Sequence, residues 1–440
     1  MGRRKRRYRR SRRYDPLVLE VEVERLALGG DGVGHVEQKV LFVSGGLPGD
    51  RVRVRVTEHA SRFMRGEVVE VLRASPDRRS PRCPVAGPCG GCPWMALEDP
   101  AQWHAREEIV RETLARVGKV PREVVAPILP APAPFGYRNR LRMVALGKRI
   151  GFRSARSRRV VDVARCEVAR PELNALLARV RMWMKPRLPI SSPLQIEMAI
   201  QEDGALNLAV SGTEAGLFEG FPDGSAPALE ANGPPPVNQD SRLRPTPLLD
   251  PLPVEVRLDA DPLDPRGRPR LGFTQANDEQ NRRMIALVHE ALQVRPGHRV
   301  LDLYAGDGNL SAGIAPLVRH VVGVDIDAEA AATASARTGI NARYLAGDVH
   351  EMVRSLIDAG QTFDRIILDP PRSGARKVCP LLEATGATRV VYVSCNPATL
   401  ARDLRTLVEA GFRVAKVTPV DLFPQTAHVE CVAVLERRFS

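Results

Sequence analysis

The sequence lacks three features, and each absence removes a class of protein. No run of 18 apolar residues occurs in the 440-residue chain, which argues against a membrane-spanning helix. No apolar segment of the secretory kind follows the first residues, so we expect a cytoplasmic protein without membrane association. Cysteine is scarce at seven residues, which argues against a disulfide framework in such a compartment. Hydrophobic residues at 43% and charged residues at 27% are ordinary globular values, and the length predicts about three domains.

The positive charge of the chain is concentrated at its start. Residues 1–13 hold nine Lys and Arg and no acid, and taking these nine from the net charge of +13 leaves +4 for the rest. A segment of this composition cannot bury a core, so residues 1–15 are predicted to be a disordered basic tail. Its expected partner is a polyanion, with nucleic acid ahead of other polyanions, and a purely solubilising segment is the alternative.

Residues 16–74 are predicted to form a small β-barrel. Short alternating runs are separated by Gly-rich turns, as in GGDGVGH and GLPGD, and about five strands fit the segment. The run RVRVRV at 51–56 places three arginines on one strand face and three valines on the other. An RNA-binding face and an ordinary solvated strand face remain equally good interpretations of those arginines.

Residues 75–270 are predicted to form a mixed central domain that contains a thiol cluster. Cys83, Cys89 and Cys92 lie in a loop rich in Gly and Pro, and Cys166 ends a later basic segment. Three close thiols and one distant thiol suit a metal or an iron–sulfur cluster, and spacing alone leaves zinc open. Residues 221–270 are rich in Pro, Asp, Ala and Gly, which predicts an excursion with little core of its own.

Residues 271–440 alternate apolar strands with helices, which predicts a doubly wound α/β domain with a mostly parallel sheet. DLYAGDGN follows the first strand, and its Gly306 permits a tight turn against a ligand. Asp325 ends the second strand and could bind ribose hydroxyls, while Asp348 follows the third and could bind an adenine edge. Ser311 stands where a dinucleotide fingerprint has glycine, and no Walker lysine follows, so S-adenosylmethionine (SAM) is favoured over NAD and ATP.

Three further strand ends carry reactive groups. Asp369 precedes two prolines that stiffen its loop, and Arg372 follows where amine methylases carry an aromatic residue. Cys395 lies between the fifth strand and a helix, where a lowered thiol pKa and nucleophilic attack are expected. Glu430 begins the apolar last strand and could act as a general base, whereas Cys431 points to the opposite face and is expected in the core.

These motifs together resemble the TrmA/RumA family of RNA uracil-C5 methyltransferases. The resemblance covers about 16–220 and 270–440 and rests on FTQAN at 273–277, DLYAGDGNLS, DPPRSGA, SCNPATLARDL and HVE, in that order. It implies a Rossmann-like SAM-dependent methyltransferase domain of α/β class, preceded by a TRAM (OB-like) β-barrel and a mixed central domain bearing a [4Fe–4S] cluster. Within the family, a TRAM domain with a cluster is most similar to the RumA type, which acts on 23S rRNA.

The resemblance also implies roles for individual residues. Cys395 attacks C6 of uracil and Glu430 removes the C5 proton. The cluster ligands are Cys83, Cys89, Cys92 and Cys166. The SAM-binding residues are Gln275, Tyr304, Gly306, Asn309, Asp325, Asp348 and Asp369. In this chain Ala305 replaces a cysteine common in the family, which should not affect function.

The expected partner is therefore RNA, 23S rRNA before tRNA, bound by a monomer. An RNA cytosine-C5 methyltransferase would carry a Pro-Cys pair where this chain has DPPR. A non-catalytic RNA-binding protein with a vestigial SAM fold should have lost Cys395 or Glu430, and both are present. A DNA base methyltransferase fits less well, because no groove-reading helix motif accompanies the barrel.

Overall fold

The structure is a computed structural model that describes residues 17–201, 203–222, 254–259 and 275–438. The predicted basic tail 1–15, most of the Pro-rich segment 221–270 and the first two residues of FTQAN lie outside these ranges. Within the described ranges, no helix has both the length and the apolar character needed to cross a membrane.

Six strands form the first sheet, one more than the sequence predicted. They are β1 (Val18–Glu22), β2 (Arg25–Leu26), β3 (Gly32–Val36), β4 (Lys39–Ser44), β5 (Arg51–His59) and β6 (Phe63–Arg73). Their order is β1-β5-β6-β4-β3-β2, and all neighbours are antiparallel except β4 and β6. The predicted alternation along β5 is confirmed, because Val52 and Val54 are fully buried and the arginines point outward. The extra strand, β2, has only two residues and gives no periodic signal.

The outward arginines of β5 are paired with glutamates of the neighbouring strands. Arg51 and Arg53 contact Glu20 of β1 at 3.2 and 3.3 Å. Arg53 also contacts Glu70, and Arg55 contacts Glu67, both on β6. We call these six side chains the barrel stripe: Arg51, Arg53, Arg55, Glu20, Glu67 and Glu70. Its charges balance, so the structure favours the solvated strand face over a basic RNA-binding face.

The second sheet belongs to the central part of the chain. Its strands are β7 (Arg140–Gly147), β8 (Arg149–Arg153), β9 (Val160–Asp162), β10 (Ile190–Ile200), β11 (Leu206–Ser211) and β12 (Val254–Asp259), in the order β12-β11-β10-β7-β8-β9. Helix α1 (Asp99–Thr113) precedes the sheet, and α2 (Pro171–Met184) packs on it. β12 corrects one expectation: inside the Pro-rich segment, six residues pair in parallel with β11, and Val254 joins the central core.

The third sheet confirms the predicted, mostly parallel α/β architecture. Its strands are β13 (Arg299–Leu303), β14 (His320–Asp325), β15 (Ala342–Ala346), β16 (Arg365–Leu368), β17 (Arg389–Ser394), β18 (Phe412–Val420) and β19 (Glu430–Arg437). The order is β15-β14-β13-β16-β17-β19-β18, with only β19 and β18 antiparallel to their neighbours. The helices are α3 (Asp278–Leu292), α4 (Ala328–Arg337), α5 (Val349–Asp358) and α6 (Pro397–Glu409).

Two predicted helices of this region are shorter and tighter than expected. Ala312–Leu317 and Cys379–Thr385 form 3-10 helices rather than α-helices. Pro316 lies inside the first, whereas Pro380 lies in the first turn of the second, where proline is tolerated. Proline inside a helix removes a backbone donor and clashes with the preceding turn, so Pro316 explains why the first segment does not extend as an α-helix.

Apolar side chains cover both faces of the third sheet. Along β13, Leu301 and Leu303 join the core beneath α5 and α6, whereas Val300 packs on the opposite face beneath α3. A parallel sheet buried on both faces exposes mainly its strand ends. Polar chemistry is therefore confined to the two edges where the strands begin and end.

Candidate active site

One edge of the third sheet gathers the predicted site residues. β13, β14, β15, β16 and β17 are parallel and end at this edge, and the antiparallel β19 begins there. Ligands of doubly wound sheets bind beyond the carboxyl ends of the strands. The motifs that follow these strands therefore share one cleft.

The register of β17 and β19 brings the predicted nucleophile and base together. Ser394 pairs with Cys431 in the antiparallel ladder, so the next positions, Cys395 and Glu430, face each other where the pairing ends. Cys431 is fully buried, which confirms its place in the core. Glu430 is only 5% exposed, while Cys395 is half-buried. The Glu430 carboxyl group is near enough for its charge to raise the pKa of the Cys395 thiol.

The expectation of a lowered pKa for the thiol is wrong for the protein without ligands. Burial, together with the charges of Glu430 and Asp369, raises the pKa of Cys395 to about 11, although Arg372 opposes this increase. The helix dipole adds little, because α6 begins at Pro397 and its N-cap is Asn396. The thiol lies before the cap, beyond the first turn where the dipole acts.

The carboxyl groups of the cleft also hold protons more tightly than usual. Burial and the charge of Asp369 raise the pKa of Glu430 well above its usual value, and Arg372 lowers it in part. Burial and Asp325 raise the pKa of Asp369 to about 7. Perturbed groups that affect one another in a cleft mark a functional site. Arg372 is a nearby cation that lowers the pKa values of Cys395 and Glu430. DPPR alone does not indicate this effect, because the two groups belong to other strand ends.

The turn after β16 is fixed by α6. The side chain of Asn396 donates to the Arg372 carbonyl at 3.2 Å, and Arg402 donates to the Ser373 carbonyl at 2.9 Å. The buried Asp403 carboxylate accepts the Ala375 backbone N–H at 2.7 Å. Sequence analysis did not single out Asp403. The signal that could have indicated it is an acidic residue within SCNPATLARDL that falls on the buried face of the helix.

The turn after β13 is shaped for close approach of a ligand. Tyr304, Gly306 and Gly308 have φ values of 63°, 54° and 82°. The Gly306 N–H donates to Asp325 at 2.8 Å, which ties the ends of β13 and β14 together. A Cβ at Gly306 would meet no atom within 4 Å, so open space lies before this turn. The Asp325 carboxylate also accepts from Asp327 N–H, and a carboxylate keeps further lone pairs for hydroxyl groups.

Asp302 is a site residue that sequence analysis did not single out. Its side chain is 1% exposed, and the Ser311 hydroxyl is the hydrogen-bonding group beside it. Burial, with smaller contributions from the charges of Asp369 and Asp325, raises its pKa to about 7, while Ser311 opposes this increase. The charged form of such a buried carboxyl group is disfavoured, so it is held behind the turn at a cost in stability.

The remaining predicted SAM residues are not equally close to this turn. Tyr304 lies near Asp348, whose charge adds to the effect of burial in raising the tyrosine pKa to about 12. Asn309 instead exchanges hydrogen bonds with Asn281 of α3, at 2.9 and 3.3 Å. Gln275 precedes α3, and its carbonyl accepts from the Asn139 side chain of the central region.

The four predicted cluster thiols converge, although they lie on separate segments. Cys83, Cys89, Cys92 and Cys166 line one small cavity whose other walls include Phe152. Burial raises the pKa of Cys92 to about 12, with Cys166 the largest contribution from a neighbouring thiol. No group of three or more His, Cys, Asp or Glu within the described ranges is arranged to hold a metal ion.

A larger cavity, of about 640 Å³, lies at the opposite edge of the third sheet and has a structural explanation. Arg365 and Arg389 line it and donate to the carbonyls of Leu292 and Ala291, the last turn of α3. Arginines at a helix C-terminus satisfy free carbonyls and favour the dipole. This cavity is remote from the cleft around Cys395.

Comparisons with known proteins find a matching family model at each end of the chain. The TRAM domain model matches residues 12–69, and the tRNA (Uracil-5-)-methyltransferase model matches residues 268–438. A protein of Alkalilimnicola ehrlichii named 23S rRNA (uracil(1939)-C(5))-methyltransferase RlmD is 37% identical, over 98% of this chain and 99% of its own. The chain belongs to the family of RNA uracil-C5 methyltransferases.

Two further comparisons agree with this membership. A Klebsiella pneumoniae protein of the same name is 34% identical over 96% of each chain. The crystal structure of a Pyrococcus abyssi tRNA (uracil-54, C5)-methyltransferase with S-adenosyl-L-homocysteine has a TM-score of 0.65. It is 23% identical, and the match covers 95% of this chain and 100% of that one. This likeness establishes a shared fold for the family member described here.

Proposed function

We propose that this family member methylates C5 of a uracil in 23S rRNA, with SAM as methyl donor. The observation that carries the proposal is the meeting of Cys395 and Glu430 where β17 and β19 part, in the cleft that Asp325 and Gly306 line. The 23S rRNA substrate is supported by the names of relatives that match nearly the full length. A tRNA substrate is the second candidate, because the matching family model is described by tRNA.

Cys395 performs the first step of the proposed mechanism. Uracil C5 is a poor nucleophile until a thiolate adds to C6, which creates an enolate and makes C5 nucleophilic. The thiol must first lose its proton, and its raised pKa makes the thiolate scarce at neutral pH. We therefore expect the rate with limiting RNA to rise with pH through neutrality. The base must leave its stack to reach Cys395, which favours loop or single-stranded RNA.

Glu430 performs the last step. SAM supplies the methyl group to C5, after which C5 carries both the new methyl group and its original proton. The Glu430 carboxylate accepts that proton, the C5–C6 double bond reforms, and the Cys395–C6 bond breaks to release the thiolate. Because its carboxyl group is buried beside the thiol, the base stays away from bulk water.

The proposed SAM site uses the turn after β13 and the neighbouring strand ends. Asp325 is placed for the ribose hydroxyls, Gly306 for close backbone approach and Asp348 for the adenine edge. Tyr304, Asp369 and Gln275 complete the proposed contacts, with Asp369 and Gln275 also beside the flipped base. Asn309 is proposed to act less directly, because its side chain is bonded to Asn281.

We also propose a [4Fe–4S] cluster held by Cys83, Cys89, Cys92 and Cys166. The support is four thiols around one cavity with largely apolar walls. Methyl transfer moves no electrons, so the thiols would serve to join the loop at 83–92 to the segment at Cys166.

Iron analysis tests the cluster. Protein purified without oxygen should be brown and carry about four irons per chain, the content of a cluster with four thiolate ligands. Cys89→Ser should lose the iron, whereas Cys379→Ser, which changes a buried thiol outside the set, should keep it. Stoichiometric zinc without iron would contradict the proposal.

Nucleotide mapping tests the substrate. Unmodified 23S rRNA and unmodified tRNA should be incubated separately with the protein and SAM, and 5-methyluridine located in each. We expect methylation of the 23S rRNA alone. Methylation of tRNA alone would favour the second candidate, and methylation of neither would contradict the proposed activity.

A further inference from the structure

The loop that delivers Glu430 to the cleft is residues 421–429, which join β18 to β19. β18 ends at Val420, and the ladder begins again where Val420 pairs with Glu430. The loop thus leaves and re-enters the sheet at one point. Its conformation decides where β19 starts and how Glu430 faces Cys395.

An arginine from outside the methyltransferase sheet binds this loop at several points. Arg106 of α1 donates to the Thr426 carbonyl at 2.7 Å, the His428 carbonyl at 3.1 Å and the Phe423 carbonyl at 3.4 Å. Its guanidinium also lies 3.4 Å from the Asp421 carboxylate. The three acceptor carbonyls and the Asp421 carboxylate all belong to the loop, and His428 lies two residues before Glu430.

The contacts between Arg106 and the loop are buried. The Arg106 side chain is 0% exposed and its guanidinium lies over the Trp94 ring, 4.9 Å from the ring centre. Burial lowers the Arg106 pKa, and Asp421 opposes this effect. Among the described residues Nη1 of Arg106 has no hydrogen-bond partner, so the loop carbonyls that accept from Nε and Nη2 are what compensate the buried guanidinium.

A second residue of α1 holds the same loop independently. The buried Gln102 side chain accepts the Gln425 backbone N–H at 3.1 Å and donates to the Gln425 side-chain oxygen at 3.0 Å. Gln425 has a φ of 69° and is fully buried, so its strained backbone depends on such contacts. Arg106 and Gln102 are one turn apart on α1.

We propose that Arg106 is a positioning residue that sets Glu430 against Cys395 through the backbone of the 421–429 loop. The proposal rests on the proposed function, in which Glu430 removes the C5 proton. Cys395 has separate support from the N-terminus of α6, where the Asn396 side chain accepts from Ala398 N–H. Loss of the arginine should therefore slow proton removal more than thiol attack or methyl transfer.

The variant Arg106→Lys tests this assignment. A lysine keeps the charge but lacks the planar fork needed to reach three carbonyls. Turnover should fall about 10- to 100-fold, since a displacement of about 1 Å can cost roughly 100-fold. Methyl transfer to RNA in a single turnover should change much less, so covalent RNA–protein adduct should accumulate on denaturing gels. Arg111→Lys is the matched control, because that arginine lies on α1 but pairs with Glu107 and Glu108.

Gln102→Leu keeps the test decisive if Arg106→Lys does not fold. It leaves Arg106 in place and loosens Gln425, so adduct should accumulate in smaller amount. Folded variants that turn over like the Arg111→Lys control without adduct would overturn the positioning role. A loss of methyl transfer equal to the loss of turnover would also overturn it, because a merely structural residue would act in that way.

The result separates this inference from the proposed function. If Glu430→Gln accumulates adduct and Arg106→Lys does not, only the positioning role fails. If neither accumulates adduct, the base role of Glu430 fails first.

Discussion

The barrel stripe and the methyltransferase cleft handle charge in opposite ways. In the stripe, three arginines meet three glutamates on neighbouring strands, and their side chains remain 42–58% exposed. In the cleft, the carboxyl groups of Asp302, Asp369 and Glu430 are buried and have raised pKa values, and Arg372 opposes the increase for Glu430. Balanced surface pairs contribute little to stability or chemistry, whereas crowded buried acids lower stability and acquire altered proton affinities.

The difference shows which charges the fold uses for chemistry. All ion pairs of the barrel stripe could be removed without a change in the sheet. The acidic residues of the cleft are buried although burial disfavours their charged forms. Such unfavourable arrangements are concentrated at functional sites. The predictions below test this division between the two regions.

Removal of the cleft thiol should have the largest effect. Cys395→Ala should abolish methylation, because no other group can add to C6 and activate C5. SAM binding, measured by calorimetry, should be unchanged, since the proposed SAM contacts lie on other strand ends. Cys379→Ala removes a thiol buried in the core and should retain activity. Full activity of Cys395→Ala would contradict the mechanism.

Neutralising the cleft base should stop the reaction one step later. Glu430→Gln keeps the shape of the side chain but cannot accept the C5 proton, so RNA should remain attached to Cys395. A denaturing gel should show protein shifted by bound RNA. The double variant with Cys395→Ala should show no shift, and Glu436→Gln, at the far end of the same strand, should turn over normally. Retained turnover without adduct would remove Glu430 from the base role.

The position of the cleft motifs at strand ends could be predicted because strand ends are local signals. Each motif follows an apolar run, and parallel strands with helical connections must gather their carboxyl ends at one edge. The position of Glu430 follows only from the pairing register of β17 and β19, because β19 is antiparallel and begins at this edge. Its burial and its contact with the Cys395 position follow from that pairing.

Other features depended on contacts between distant segments. The raised pKa of Cys395 reflects burial and the charges of Glu430 and Asp369, which belong to other strand ends, so the expectation from its helix alone was wrong. The glutamates that neutralise β5 lie on β1 and β6, and no pattern within RVRVRV reveals them. Arg106 contacts a loop more than 300 positions away, which sequence periodicity cannot indicate.

Asp302 should make stability depend on pH. Its pKa is about 7 when folded against 3.8 for an unperturbed carboxyl group, so the folded state holds the proton more tightly. Its stabilising contribution is full below pH 4 and is lost as pH rises toward 7. At about 1.36 kcal/mol per pKa unit, the loss amounts to several kcal/mol. Asp302→Asn should therefore unfold at higher denaturant than the parent at pH 8, with the difference largely gone at pH 4. An equal difference at both pH values would contradict the burial of an ionisable group here.

The barrel stripe should give the smallest effect. Replacing all six stripe residues by glutamine removes every pair and leaves the net charge unchanged. Exposed pairs contribute about 0–1 kcal/mol each, so the free energy of unfolding should change little. RNA binding should keep its dependence on salt, because arginines engaged by glutamates are not expected to neutralise phosphates.

Deletion of residues 1–13 provides the comparison for the six-glutamine variant of the barrel stripe. That segment holds nine cations and no acid. Its loss should weaken RNA binding and reduce the log–log salt slope by roughly 0.7–0.9 for each phosphate contact removed. The methylated uridine should not change, since phosphate contacts carry no sequence information. If the six-glutamine variant lowered the slope as much as the deletion, the stripe arginines would leave their glutamates for RNA, and the barrel would be a charged binding face after all.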